Sequence, residues 1–138
     1  YLSRYARMIS QLTGASIPFP TQVAMLRESS IVPAYRRAWE TVAKDLGQGM
    51  GFTAALEKHK KLLSPLFVGN IRVGEQSGTI AESAGFVADF YEGEVRDLVK
   101  NMNAIVEPLL IIFIGMVVGF LLFAMFLPLF DITQLVKG

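Results

Sequence analysis

Between Glu107 and Asp131 lie 23 residues, Pro108 to Phe130, without a single charge, and 19 of them are apolar. Nothing else in the chain restricts its folding so strongly. As a helix rising about 1.5 Å per residue, the block spans roughly 34 Å, enough to cross a hydrocarbon core of about 30 Å. The alternative is a buried helix of a soluble core, but such helices rarely run this long without a polar residue. A cleaved signal peptide is not the explanation, because the block is far from the N-terminus. The reading is one membrane-spanning helix.

Composition describes what remains. The other 115 of the 138 residues are roughly 46% apolar and hold all 13 Lys+Arg and all 12 Asp+Glu, as in a soluble globular domain. That excludes a wholly soluble chain, a polytopic channel within these residues and a disordered tail. A net charge of +1 lacks the basic excess of nucleic-acid binders, so no nucleic-acid partner is expected. The absence of cysteine excludes a disulfide framework, a cysteine–zinc site and thiol catalysis. Tyr1 opens directly into a helical pattern with no initiator Met, so the chain reads as part of a longer protein.

Apolar spacing upstream of the membrane block is helical almost throughout. Leu2, Tyr5, Ile9 and Leu12 form one stripe, and Gly14 stands where that helix would end. Ile17-Pro-Phe-Pro20 breaks the chain before a short helix carrying Val23 and Leu26. Pro33 is placed as a first helical residue. Tyr35, Ala38, Trp39, Val42 and Leu46 then face inward, with Arg36, Arg37, Glu40, Lys44 and Asp45 on the solvated side. Gly47-Gln-Gly-Met-Gly51 is the next break, followed by Phe52, Ala55 and Leu56 on a short helix and by a basic turn, Lys58 to Lys61. Ser64-Pro65 reads as an N-cap with proline in the first turn. Leu66, Phe67, Asn70, Ile71 and Gly74 share the following face up to Gly78.

Thr79-Ile-Ala-Glu82 fits a capping box, in which the Thr79 hydroxyl and the Glu82 carboxylate each bond a backbone donor. From there Ile80, Ala84, Val87, Tyr91, Leu98, Met102 and Ile105 carry one stripe into the membrane block. An unbroken helix from Thr79 to about Phe130 would measure roughly 78 Å, with Pro108 expected to kink it. No run alternates long enough to be a strand. The fold class is all-α: a six-helix cytoplasmic bundle over residues 1–103, whose last helix continues into a transmembrane helix over 104–130 and a short tail, 131–138.

Chemistry-bearing segments are few. Gly74-Glu75-Gln76-Ser77-Gly78 offers a glycine-flanked Glu and Ser that could bind a partner or ion. The structural account is favoured: Gly74 for close helix packing, Gly78 for the C-cap, Thr79 for the next helix start. It lacks the lysine and spacing of a phosphate loop. His59 is the only histidine, too little for zinc, which needs several convergent ligands. Asp89 and Glu92 share a helical face, as do Glu94 and Asp97. They are the weak candidates for a divalent cation, against a solvated face salt-bridged by Arg96 and Lys100. No cleft partner for acid–base catalysis accompanies them. Glu107 must reach water, pair or carry a proton so near the bilayer. Gly115 and Gly119, four apart, would let a second membrane helix approach closely.

Taken in order, Gly74-Glu-Gln-Ser-Gly78, then Asp89-Phe-Tyr91, Glu107-Pro108-Leu and an apolar helix ending Leu127-Pro-Leu-Phe130 resemble a known family. It is the F-type domain of the bacterial inner-membrane platform proteins of type II secretion and type IV pilus assembly. Leu12-x-Gly14-x-x-x-Pro18 and Gly49-Met-Gly-Phe-Thr-Ala-Ala-Leu56 fit the same pattern, and Gly51-Phe52 departs from its usual polar start to the fourth helix. Members carry the helical domain twice with further membrane helices; one copy is visible here, and the short tail suggests the C-terminal half. The resemblance implies a non-enzymatic, cofactor-free platform in the inner membrane, in contact with lipid and forming a homo-oligomer. Its expected partners are a cytoplasmic assembly ATPase, pilin or pseudopilin subunits and other inner-membrane assembly proteins. Arg96 and Lys100 precede the membrane block and only Lys137 follows, a weak bias toward a cytoplasmic bundle with the tail outside. A membrane-anchored receptor or signalling adaptor is the alternative, and a membrane-bound hydrolase is the weakest reading.

Overall fold

Proline and glycine punctuate the chain, and the helices lie between them. The computed structural model describes residues 1–138, with α1 at Leu2–Gly14, α2 at Phe19–Ser29, α3 at Pro33–Gly47, α4 at Phe52–Glu57, α5 at Lys60–Leu63, α6 at Pro65–Ser77 and α7 at Ile80–Val136. Prolines open α2, α3 and α6 in the first turn, where their missing N–H and fixed φ cost nothing. Gly49 and Gly78 sit at φ +87° and +72°, the left-handed region that favours glycine. The α-only class read from spacing is what forms. The element beyond the six expected is α5, one turn that begins in the stretch read as a basic turn and ends past it at Leu63.

The chain divides into two compact units, Tyr1–Glu94 and Val95–Gly138. The core of the first gathers Tyr5, Ile9, Val23, Leu26, Trp39, Val42, Phe52, Leu56, Phe67, Ile71, Ala84 and Val87. Every helix but the single-turn α5 contributes positions three or four apart, so the apolar stripes of the sequence are the buried faces. Tyr5 meets Trp39 edge to face at 5.4 Å between ring centroids, and Phe19 stacks on Phe52 at 4.5 Å. Burial raises the Tyr35 hydroxyl above its usual titration range, with smaller contributions from Tyr5, Tyr91 and Tyr1.

Three assignments from spacing change. Asp45, placed on the solvated side of α3, is buried at 7% exposure because Lys58 reaches it at 2.9 Å. A buried carboxylate is tolerable only with such a partner. On α6 the buried set is Phe67, Val68, Ile71 and Gly74, with Leu66 exposed; the face turns toward α4 and α5, both of which α6 contacts. Ser64 stands at the N-cap position of α6 but makes no side-chain cap bond. Its hydroxyl pairs instead with the Tyr91 hydroxyl at 2.5 Å. Gln22 was legible only as a polar residue, yet it is buried and donates from Nε2 to the Ile17 carbonyl at 2.7 Å.

The second unit is helical to Val136, with Pro108 and Pro128 inside the helix. The expected end near Phe130 therefore moves outward: Asp131 ends the apolar run but breaks no helix, and the Thr133 hydroxyl bonds the Leu129 carbonyl at 2.7 Å. Residues 95–138 are exposed throughout. Within α7 lies the one helix stretch of the chain long and apolar enough to cross a membrane.

Candidate functional site

The corner between α6 and α7 contains Glu75, Gln76, Ser77, Thr79 and Glu82 of the polar residues singled out above. Gly78 turns left-handed after α6, and the N–H groups of Gly78 and Thr79 both bond the Gly74 carbonyl, the latter at 2.8 Å. That second bond closes a helix C-terminus of Schellman type. A Cβ on Gly74 would lie 2.8 Å from the Ile80 Cα and 2.8 Å from the Ser83 Oγ. Glycine here sets how closely α6 and the start of α7 approach.

The capping box does not form. Thr79 does occupy the N-cap position, its carbonyl accepting from the Ser83 N–H at 3.0 Å. Its own N–H, the donor Glu82 would need, already serves Gly74. The Thr79 hydroxyl pairs with Ser77 Oγ at 2.7 Å, and Ser77 also bonds the Val73 carbonyl at 2.7 Å. Glu82 is left exposed.

Glu75 has a structural partner that its position in the sequence did not announce. Its Oε2 accepts the Thr53 N–H at 3.2 Å. Thr53 is the second residue of α4, whose N-cap is Gly51 and has no side chain to offer. A carboxylate from α6 therefore supplies the missing cap, where the helix dipole favours negative charge. This explains how α4 starts at Gly51-Phe52 without a polar residue. Glu75→Ala should cost about 0.5–2 kcal/mol, the usual loss for a cap, whereas Thr79→Ala should cost only a few tenths. Denaturant midpoints of the two variants test the order, and a larger loss at Thr79 would refute this assignment of the caps.

Asp89 and Glu92 do share a face, and α1 meets it. Arg7 Nη2 lies 2.6 Å from Asp89 Oδ1 and 3.0 Å from Glu92 Oε2, and Arg7 Nε lies 3.4 Å from Glu92 Oε1. The hydrogen bonds Arg7 donates to Asp89 and then to Glu92 raise its guanidinium above its ordinary range. The salt-bridge partner is thus Arg7 rather than Arg96 or Lys100. One helical turn along, Ser10 Oγ donates to the Ala81 carbonyl at 2.7 Å. Sequence could not pair residues so far apart; Arg7 carried no signal beyond its charge.

His59, read as part of a solvated basic turn, is half-buried, with its Nε2 enclosed and without a hydrogen-bond partner in the protein. In the second unit Glu107, Pro108, Gly115 and Gly119 are all exposed, and nothing in the chain lies within 4 Å of a Cβ added at either glycine. The candidates thus separate into a packed polar corner, an α1–α7 clamp and residues of an apolar helix.

Comparison with known proteins adds the wider frame. Residues 5–128 match the family model of the type II secretion system (T2SS), protein F. The type IV pilus assembly protein PilC of Thermus thermophilus is 29% identical over 131 residues, 95% of this chain and 32% of the relative. The type IV pilus assembly protein TapC of Aeromonas hydrophila is 30% identical over 135 residues, covering 98% of this chain and 32% of the relative. The type II secretion system protein F of Pseudomonas aeruginosa is 26% identical over 134 residues, 97% of this chain and 33% of the relative. The chain spans about a third of the length of these curated relatives.

Proposed function

Because the chain belongs to the type II secretion system protein F family, we propose that it is part of a non-enzymatic inner-membrane platform for type IV pilus or type II secretion assembly. The observation that carries this reading is the family match over 5–128, which takes in residues of both compact units and nearly all of the apolar stretch. Relatives named for pilus assembly and for secretion lie at similar identity, so the shared role is assembly rather than one appendage. In this reading residues 1–103 lie in the cytoplasm, 104–130 cross the membrane and 131–138 lie outside. Chemical energy comes from a cytoplasmic assembly ATPase, and pilin or pseudopilin subunits and other inner-membrane assembly proteins are the neighbours in the bilayer. A reporter fused after Gly138 that is active only in the cytoplasm would contradict the orientation.

Gly115 and Gly119 are assigned to helix–helix contact within that platform. Gly115→Leu and Gly119→Leu keep the segment apolar, so membrane insertion should survive. Added bulk blocks close approach of a neighbouring helix, and association in lipid rests on such packing. Expected are normal membrane levels with assembly of pili or pseudopili lost, scored by surface pili or secreted substrate in the complete system. Undiminished assembly in both variants would leave that face to lipid.

A further inference from the structure

Between α4, α5 and α6 lies a surface groove of about 240 Å³, lined by Glu57, Lys60, Pro65, Val68, Gly69 and Arg72. We propose that this groove is a docking site for an acidic peptide segment of a partner protein, which places a carboxylate on Lys60 and its backbone against Gly69. The proposal goes beyond the platform reading and does not depend on it.

Charge selects the occupant. Arg72 is already paired with a carboxylate of the lining, that of Glu57. Lys60 is exposed and takes part in none of the chain's ion pairs. Lys61 is exposed beside it. The lining thus has one cation left over and room for a further acidic side chain. The volume is below the roughly 300–1,000 Å³ of small-molecule sites, which suits one or two side chains better than a nucleotide.

Gly69 selects a peptide over a free anion. A glycine inside a helix costs about 0.5–1 kcal/mol relative to alanine. Gly74 in the same helix has a packing reason; Gly69 has none, because nothing lies within 4 Å of a Cβ added there and its φ is not in the left-handed region. The open wall of the groove admits a close-lying backbone, which a bound ion would not need. At the same edge Ser64, beside Pro65, holds φ +70°, a conformation that costs a non-glycine residue on the order of 1–3 kcal/mol. Its hydroxyl pairs with that of Tyr91. Backbone strain of this kind gathers at binding sites.

The test uses the full chain in detergent and a fluorescein-labelled peptide rich in glutamate with interspersed leucine, read by anisotropy. The wild-type protein should bind it, and Lys60→Glu should weaken binding at least about tenfold, as reversal of a contact charge does. Gly69→Leu should weaken it comparably without changing any charge, and Gly69→Ala to a lesser degree, while neither lowers the denaturant midpoint. The proposal fails if the wild type does not bind, or if Gly69→Leu binds as the wild type does, since the attraction would then be diffuse charge. It also fails if Lys60→Glu leaves peptide binding intact and instead alters self-association in sedimentation or binding to phosphatidylglycerol vesicles. Those results would assign the groove to a second copy or to lipid.

Discussion

Trp39→Ala should lower the stability of the Tyr1–Glu94 unit by about 3–5 kcal/mol, the largest single loss expected in this chain. Trp39 is fully buried and is among the largest enclosed side chains. Its ring faces Tyr5 edge-on, so truncation opens a cavity and removes an aromatic contact together. Trp39→Phe separates size from polarity. The indole Nε1 is buried without an acceptor in the protein, so its removal sacrifices no protein hydrogen bond and relieves a desolvated donor. Most of the loss should therefore return with phenylalanine. Denaturant melts of the full chain in mild detergent, followed by far-UV circular dichroism, measure both variants. A phenylalanine variant as unstable as the alanine one would mean that the indole N–H is bonded after all.

Two glycines of α6 should respond to alanine with opposite sign. Gly74→Ala should destabilise the bundle by about 1–3 kcal/mol, as overpacking does. A Ser83 hydroxyl could rotate away from the new methyl group, but the Ile80 Cα at 2.8 Å is backbone and cannot. Relief requires the first turn of α7 to withdraw, which also strains the bond from the Thr79 N–H to the Gly74 carbonyl. Gly69→Ala meets open space and should stabilise by roughly 0.4–1 kcal/mol through the unfolded chain. Both shifts belong in the denaturant midpoint with the slope unchanged. Equal effects at the two positions would contradict the packing of the α6–α7 corner.

Helices of this chain were legible because their cause is local. Periodic apolar residues and breakers such as Pro33, Gly49 and Gly78 act within a few residues of one another, and the structure places helix limits beside them. The uncharged block was legible for the same reason, since length and composition suffice to propose a membrane crossing. The capping box misled because its residue pattern is necessary for the motif but not sufficient. Sequence shows that Thr79 and Glu82 have the right spacing, not that the Thr79 N–H is already bonded to Gly74.

The sequence by itself determined an all-helical chain, its breaks, and a single apolar stretch fit for a bilayer. Only the tertiary structure decided the partners of its charges. Arg7 goes to Asp89 and Glu92, Lys58 to Asp45, and Glu75 to the start of α4. Spacing along one helix fixes which residues share a face, but not which other helix that face meets. A charge can be satisfied by water or by any opposite group brought near, so its partner depends on how separate helices pack. That is why Glu75 had no structural partner in a segment read as structural and yet folds as a cap, and why the groove beside Gly69 exists only once α4, α5 and α6 come together.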